Sequence, residues 1–226
     1  MTLARGFNVL RTVGNVPPAT PVSFARARLR REALALAERD ALVEAAYTYR
    51  IVPLEGPASR TLCLDGEMLE APWLLPSSGT LTAVACAVAT IGTALEESVR
   101  ALFARRQAAL AVALDELGNE LLFAVARRAQ DRMLADATRQ GLEMAGELRS
   151  GDPGLAIDTQ GAVLRLAGAA AIGVSLSSGL VMRPLKSTSM VLGVGLALPQ
   201  VQWSRCDYCP SLERCRVAQS RVAAPA

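Results

Sequence analysis

The sequence contains no histidine, and this absence removes a large part of the catalytic repertoire. Ser-His and Cys-His nucleophile pairs are excluded, and so are zinc sites with histidine ligands. General acid–base chemistry would depend on carboxylates, lysine or tyrosine. Whether the chain is an enzyme is left open by its composition.

Aromatic residues are also scarce, at 4% of the chain, although 51% of the residues are hydrophobic. The 226 residues are enough for one large domain or two small ones, with a core of small aliphatic side chains that needs no disulfides. The formal net charge of +3 is too small to indicate a nucleic-acid partner.

Long apolar runs are missing as well. The N-terminal stretch MTLARGFNVLRTVGNVPP has no continuous apolar segment of the kind found in secretory signals. Residues 71–95 carry no charged side chain. Pro72, Pro76 and Gly79 interrupt this stretch, so no membrane span is predicted. We therefore expect a cytoplasmic protein whose five cysteines meet a reducing compartment, where close spacing favours metal over disulfide.

Hydrophobic periodicity predicts an α+β fold with a largely antiparallel, twisted sheet and packed helices. Thr93 and Glu96 form the pattern of a helix capping box, and Asp158 is placed to cap a later helix. The predicted strands are 48–55, 59–66, 173–181 and 187–198, and the continuous apolar run at 81–89 is suited to a buried strand or a helix turn. The predicted helices run from Ser23 to about Ala46, from 93 to 106, from about 108 to Gly141 or Gly146, and from Thr159 to Leu166, with a loop at 147–160.

Three regions are expected along the chain. Residues 1–22 are punctuated by glycine and proline, which predicts an extended N-terminal arm. Residues 23–200 form the α+β domain, and residues 201–226 form a cysteine-rich tail.

The tail contains the stretch RCDYCPSLERC, which brings Cys206, Cys209 and Cys215 close together. Thiolate ligands without imidazole suit an iron–sulfur cluster or zinc. The iron–sulfur cluster is the favoured interpretation, and zinc, a disulfide and unpartnered thiols are the alternatives. Cys63 and Cys86 are candidates for a fourth ligand, but both lie in apolar runs and are typical of core thiols.

Three separated segments together resemble one family. They are ATIGTALEE at 89–97, LDELGNE at 114–120 and MRPLKSTSMVLGVG at 182–195. In this order and spacing they resemble the activation domain of cobalamin-dependent methionine synthase, in a stand-alone form. The family's Met-x-Pro turn and small-residue Ser-x-Ser-x-x-x-Gly strand correspond here to Met182, Pro184, Ser187, Ser189 and Gly193.

The resemblance implies a C-shaped α+β domain that docks on a corrinoid (cobalamin-binding) methyltransferase subunit. Members of the family bind S-adenosylmethionine and offer its methyl group to cobalamin that has fallen into the inactive Co(II) state. An outside electron donor, such as a flavodoxin or ferredoxin, reduces the cobalt. Because that reduction is uphill, irreversible methyl capture pulls it forward, and the protein supplies positioning.

The resemblance also implies an S-adenosylmethionine site. The family's Arg-Pro-x-Pro-Gly-Tyr loop corresponds to Arg149 through Gly154 and Leu155, so Arg149 would pair with the ligand's carboxylate and Gly154 would allow close backbone approach. Leu155 stands where the family has tyrosine, and the loop is one residue longer. Met182, Pro184 and Ser187 would complete the site.

Two further departures affect that site. The family's glutamate in the long helix aligns with Phe123, and Glu120, one helical turn away, is the substitute carboxylate. The Thr-Glu-Ser before the Met-x-Pro turn becomes Ser177, Ser178 and Gly179.

Two hypotheses of function follow. The first is an accessory protein for the reductive reactivation and methylation of a corrinoid-dependent methyltransferase. The alternative is a non-catalytic iron–sulfur electron-transfer or partner-binding protein that kept the fold and lost S-adenosylmethionine binding. A folate- or methyl-transfer subunit is a third possibility that no motif supports.

Overall fold

The computed structural model describes residues 1–14 and 23–199. The helices are α1 (Leu10–Gly14), α2 (Phe24–Arg39), α3 (Ala94–Ala104), α4 (Ala108–Arg139) and α5 (Gln160–Ala167). The strands are β1 (Thr2–Arg5), β2 (Ala46–Pro53), β3 (Thr61–Leu64), β4 (Glu67–Glu70), β5 (Thr80–Thr90), β6 (Glu143–Leu148), β7 (Ser175–Leu176), β8 (Met182–Arg183) and β9 (Ser187–Leu196). Short 3-10 turns lie at Pro72–Leu74, Ile157–Thr159 and Ala169–Ile172.

The centre of the fold is a five-stranded sheet in the order β1-β2-β5-β9-β6, in which every neighbouring pair is antiparallel. Two small hairpins, β3-β4 and β7-β8, complete the strands. The sheet and the packed helices confirm the predicted α+β class with an antiparallel sheet.

Both faces of the central strand β5 are covered, which explains its continuous apolar sequence. One face presents a row of alanines to the layer formed by α1, α2, α3 and α4. These are Ala83, Ala85, Ala87 and Ala89. The other face packs against α5 and the β3-β4 hairpin through Val84, Cys86 and Val88. Small side chains on the first face let the long helix α4 lie close to the sheet.

Helices α3 and α4 cross closely at Gly118. A Cβ atom built there would lie 2.8 Å from Leu95 Cδ2, closer than packed atoms allow. Glycine at this position therefore relieves crowding where the two helices cross. This crossing brings the start of α3 beside the middle of α4.

Several predicted boundaries were wrong. The helix starting near Ser23 ends at Arg39 rather than near Ala46, because the chain turns there and enters β2. Residues 143–148 form an edge strand instead of continuing α4 or opening a loop.

The N-terminal residues also differ from the expectation. Instead of extending as an arm, residues 2–5 pair with β2, and residues 10–14 form a helix whose Val13 is buried in the core. The division into a central domain at 23–200 and a tail at 201–226 stays a prediction.

In the part of the chain that the structure describes, no helix combines the length and the apolar character that a membrane crossing needs.

Candidate functional site

A cleft of about 420 Å³ lies where the start of α3, one face of α4, the end of β6 and the start of β9 meet. Its charged lining residues are Glu96, Asp115, Arg149 and Lys186. Its uncharged polar lining residues are Asn119, Ser187 and Thr188, and its apolar ones are Leu122, Phe123 and Leu185. A polar floor beside an apolar wall, in a volume of this size, is typical of small-molecule sites.

Arg149 follows β6 and is held in place from several sides. Its backbone N–H donates to Asp152 Oδ2 at 2.9 Å, which fixes the start of the loop. Its Nε and Nη2 both donate to Glu147 Oε1, at 3.3 and 3.0 Å, and its Nη1 donates to Thr188 Oγ1 at 2.9 Å. The guanidinium carbon also lies 5.8 Å from the centre of the Phe123 ring. The cleft therefore contains an arginine of fixed orientation.

Lys186 is the second cation of the cleft, at the start of β9. Its Nζ lies 2.8 Å from Asp115 Oδ1 and donates to Asn119 Oδ1 at 2.7 Å. Asp115, Asn119 and Phe123 are four residues apart on α4, so they share one face of the helix. This register places a carboxylate, an amide and an aromatic ring in a row along the cleft.

Glu96 supports the turn that forms one wall. Its Oε2 accepts a hydrogen bond from the backbone N–H of Leu185 at 2.9 Å. The predicted capping box was wrong, because Thr93 makes no side-chain cap and Glu96 bonds to this turn instead. The predicted cap by Asp158 is likewise absent, since α5 starts after Thr159 without a side-chain cap. Glu96 thus joins α3 to the turn that leads into β9.

Ser187 lies at the bottom of the cleft in a buried hydroxyl chain. Its Oγ donates to Thr90 Oγ1 at 2.9 Å. Thr90 Oγ1 accepts from the Gly92 N–H at 3.2 Å and donates to the Lys186 carbonyl at 3.3 Å. These bonds join the ends of β5 and β9 and satisfy polar groups that would otherwise be costly to bury.

Of the residues predicted from the sequence, the structure brings Arg149 and Ser187 together in the cleft, and the others do not line it. Glu120 pairs with Arg30 of α2 and does not line the cleft. Pro184 is buried after a cis peptide bond in the wall turn, and Met182 packs against the core beneath β5.

Gly154 lies in the loop that follows Arg149 and packs against Trp73. Its φ is +82°, and a Cβ atom there would lie 2.5 Å from Cγ of Trp73. Only glycine fits both the backbone conformation and the contact with the indole. The loop therefore lies close against Trp73 at this residue.

The two departures from the family pattern have different surroundings. Phe123 lines the cleft with 43% of its surface exposed, so an aromatic ring occupies the position that the resemblance aligns with a carboxylate. Leu155 is 1% exposed and belongs to the core, where it stabilises the loop.

The cysteine tail lies outside the described residues. Within the described ranges, no group of three or more histidine, cysteine, aspartate or glutamate residues could hold a metal ion. Cys86 is fully buried, and burial raises the pKa of its thiol to about 12, as expected for a core thiol. Cys63 is exposed on β3, so its interpretation as a core thiol was wrong.

Sequence reasoning missed Glu96, Asn119, Glu147 and Thr188 as parts of one site. Glu96 was assigned to helix capping, and Glu147 and Thr188 carried no motif of their own. The four-residue spacing from Asp115 through Asn119 to Phe123 was the available signal, since it places all three on one helix face.

Comparison with known proteins agrees with the sequence motifs about the fold. Among solved structures, the chain is similar to the MetH reactivation domain bound to AdoHcy, with a TM-score of 0.62 and 12% sequence identity. The match covers 98% of this chain and 89% of that chain. This chain has the reactivation-domain fold. No family model and no curated protein matches the sequence.

Proposed function

We propose that the chain is an accessory protein that supports reductive reactivation of a corrinoid-dependent methyltransferase. The observation that supports this most is the joint occurrence of the reactivation-domain fold with a cleft containing Arg149. Neither the fold nor the cleft would support the proposal alone, because one fold can serve many functions and function depends on the site.

The cleft has the chemistry that S-adenosylmethionine requires. Arg149 and Lys186 offer cations to a carboxylate, and Glu96 and Asp115 offer anions to an ammonium or sulfonium group. Phe123, Leu122 and Leu185 offer an apolar wall to a flat base. The solved reactivation domain is described as bound to AdoHcy, a ligand of the same class.

In the proposed role, S-adenosylmethionine supplies a methyl group to the cobalamin of a partner, and an external donor such as a flavodoxin or ferredoxin supplies the electron. This chain would hold the sulfonium compound in a fixed orientation and dock on the corrinoid protein. Positioning of two reactants is a sufficient contribution to such a transfer.

The cysteine tail extends the proposal. Cys206, Cys209 and Cys215 would hold an iron–sulfur cluster that relays the electron. Thiolates are the ligands that such clusters use, and the chain supplies no imidazole.

Isothermal titration of S-adenosylmethionine into the wild-type protein tests the ligand site. We expect Arg149→Ala to weaken binding by tenfold or more, since a hydrogen bond to a charged group contributes about 1.5–3 kcal/mol. Arg28→Ala, on an exposed position of α2, is the matched control and should bind like wild type. Absence of binding to wild-type protein would rule out the S-adenosylmethionine half of the proposal.

The alternative is a non-catalytic electron-transfer or partner-binding protein with the same fold. Two observations favour it. Phe123 replaces the expected carboxylate, and both cations of the cleft already pair with carboxylates of the chain, Arg149 with Glu147 and Lys186 with Asp115. Transfer of a radiolabelled methyl group from S-adenosylmethionine to a reduced corrinoid partner separates the two, because only the first hypothesis predicts label on the cobalamin.

A further inference from the structure

We propose that Glu147 is a positioning residue that orients Arg149 toward the carboxylate of the ligand. The inference rests on the proposed S-adenosylmethionine site. It assigns a role to a residue that does not itself line the cleft.

The geometry gives Glu147 a directing contact. One carboxylate oxygen accepts from both Nε and Nη2 of Arg149, so it meets one edge of the guanidinium. The guanidinium is planar and its five N–H donors have fixed directions. Holding that edge therefore sets the direction of the Nη1 end, which reaches Thr188.

The two partners of the Arg149 guanidinium differ in their relation to the cleft. Arg149, Thr188 and Phe123 line the cleft, whereas Glu147 does not. Glu147 therefore contacts the guanidinium without contributing to the lining, and Thr188 contacts it as part of the lining. A residue that blocked the site would be expected to line the cleft.

Burial makes the contact effective. The side chains of Arg149 and Glu147 are only 16% and 18% exposed, so water competes weakly for their charges. A charge-assisted hydrogen bond in such surroundings is strong and directional. Loss of the negative charge at Glu147 would weaken one of the contacts that restrain the orientation of the guanidinium.

The test compares two ligands on matched variants. The probes are S-adenosylmethionine and its decarboxylated analogue, each titrated calorimetrically into wild type, Glu147→Gln, Thr188→Val and Glu143→Gln. Glu143 is an exposed glutamate on the same strand and serves as the control. Thermal unfolding of every variant checks that the proteins are folded.

We expect Glu147→Gln to weaken S-adenosylmethionine binding by about tenfold, because Arg149 loses a charge-assisted hydrogen bond that orients it. Its affinity for the decarboxylated analogue should match that of wild type, because that ligand has no carboxylate to meet Arg149. Thr188→Val should show the same selective loss, and it keeps the test decisive if Glu147→Gln does not fold. Glu143→Gln should change neither affinity.

Three outcomes would overturn the inference. An equal loss for both ligands would make Glu147 a general structural support, and a gain in S-adenosylmethionine affinity would make it a competitor of the ligand. In both cases wild-type binding would still support the proposed function. If wild-type protein bound neither ligand, the proposed ligand site and this inference would fail together.

Discussion

Lys186 and Asp115 form an ion pair of 2.8 Å that joins the residue before β9 to the N-terminal half of α4. The lysine side chain is 13% exposed, and the Asp115 carbonyl and Asn119 side chain accept further hydrogen bonds from its Nζ. A lysine with this many partners is a structural element of the cleft wall as well as a charge within it.

We expect Lys186→Met to lower the free energy of unfolding by about 1–3 kcal/mol, because the polar groups around it lose a charged partner. Chemical denaturation measures this change. Arg127→Met is the control, since its pair with Asp131 is exposed and pairs of that kind contribute about 0.5 kcal/mol. Equal effects of the two substitutions would contradict the structural role of Lys186.

Gly154→Ala should disturb the Arg149 loop. The new methyl group would collide with Trp73, and the φ of +82° is unfavourable for alanine. Gly151 has a comparable φ of +97°, but a Cβ atom there would lie 3.5 Å from Ile157 Cδ1, an ordinary contact. Thermal unfolding should therefore show a larger loss for Gly154→Ala than for Gly151→Ala, with the difference due to the contact with Trp73. Equal losses would mean that backbone strain alone accounts for both.

The stability of the protein should fall as pH rises from about 9 toward 12. In the unfolded chain Cys86 ionises near its usual pKa of 9.0, whereas in the folded protein burial raises that pKa to about 12. Within this window the unfolded state binds fewer protons than the folded state, so the free energy of unfolding decreases by up to about 1.4 kcal/mol per pH unit for this group.

The check is chemical denaturation at several alkaline pH values. Cys86→Ala should show a shallower dependence on pH than wild type, because it lacks the buried thiol whose pKa is raised. A slope unchanged in Cys86→Ala would assign the alkaline loss to other groups.

The tail is tested by anaerobic purification followed by visible absorption spectroscopy and assays for iron, acid-labile sulfide and zinc. We expect a brown protein with iron and sulfide, and loss of colour in Cys209→Ala. Cys63→Ala then tests this exposed thiol as the fourth ligand, since loss of colour in that variant too would assign it that role. A colourless protein with stoichiometric zinc would make the tail a structural zinc site and remove the electron-relay part of the proposal.

The sequence was sufficient for the fold class, because the order of apolar segments and the stripe of leucines along α4 indicate strands, then helices, then strands. A family loop also pointed to Arg149, which lines the cleft, and its role toward a ligand stays a prediction. The partners Glu147 and Thr188 could not be found in the same way. They meet Arg149 only because β6 and β9 are neighbours in the sheet, and local periodicity does not determine which strands pair.

The pairing of β5 with β9 has a consequence for how the chain folds. Strand β5 ends at Thr90, but its neighbour β9 begins only at Ser187, so the centre of the sheet closes late during synthesis. Until then one edge of the most apolar strand has no neighbour, and such edges promote aggregation. Contacts so distant in sequence also slow folding. During synthesis, the nascent chain would therefore depend on chaperones most between the emergence of β5 and that of β9.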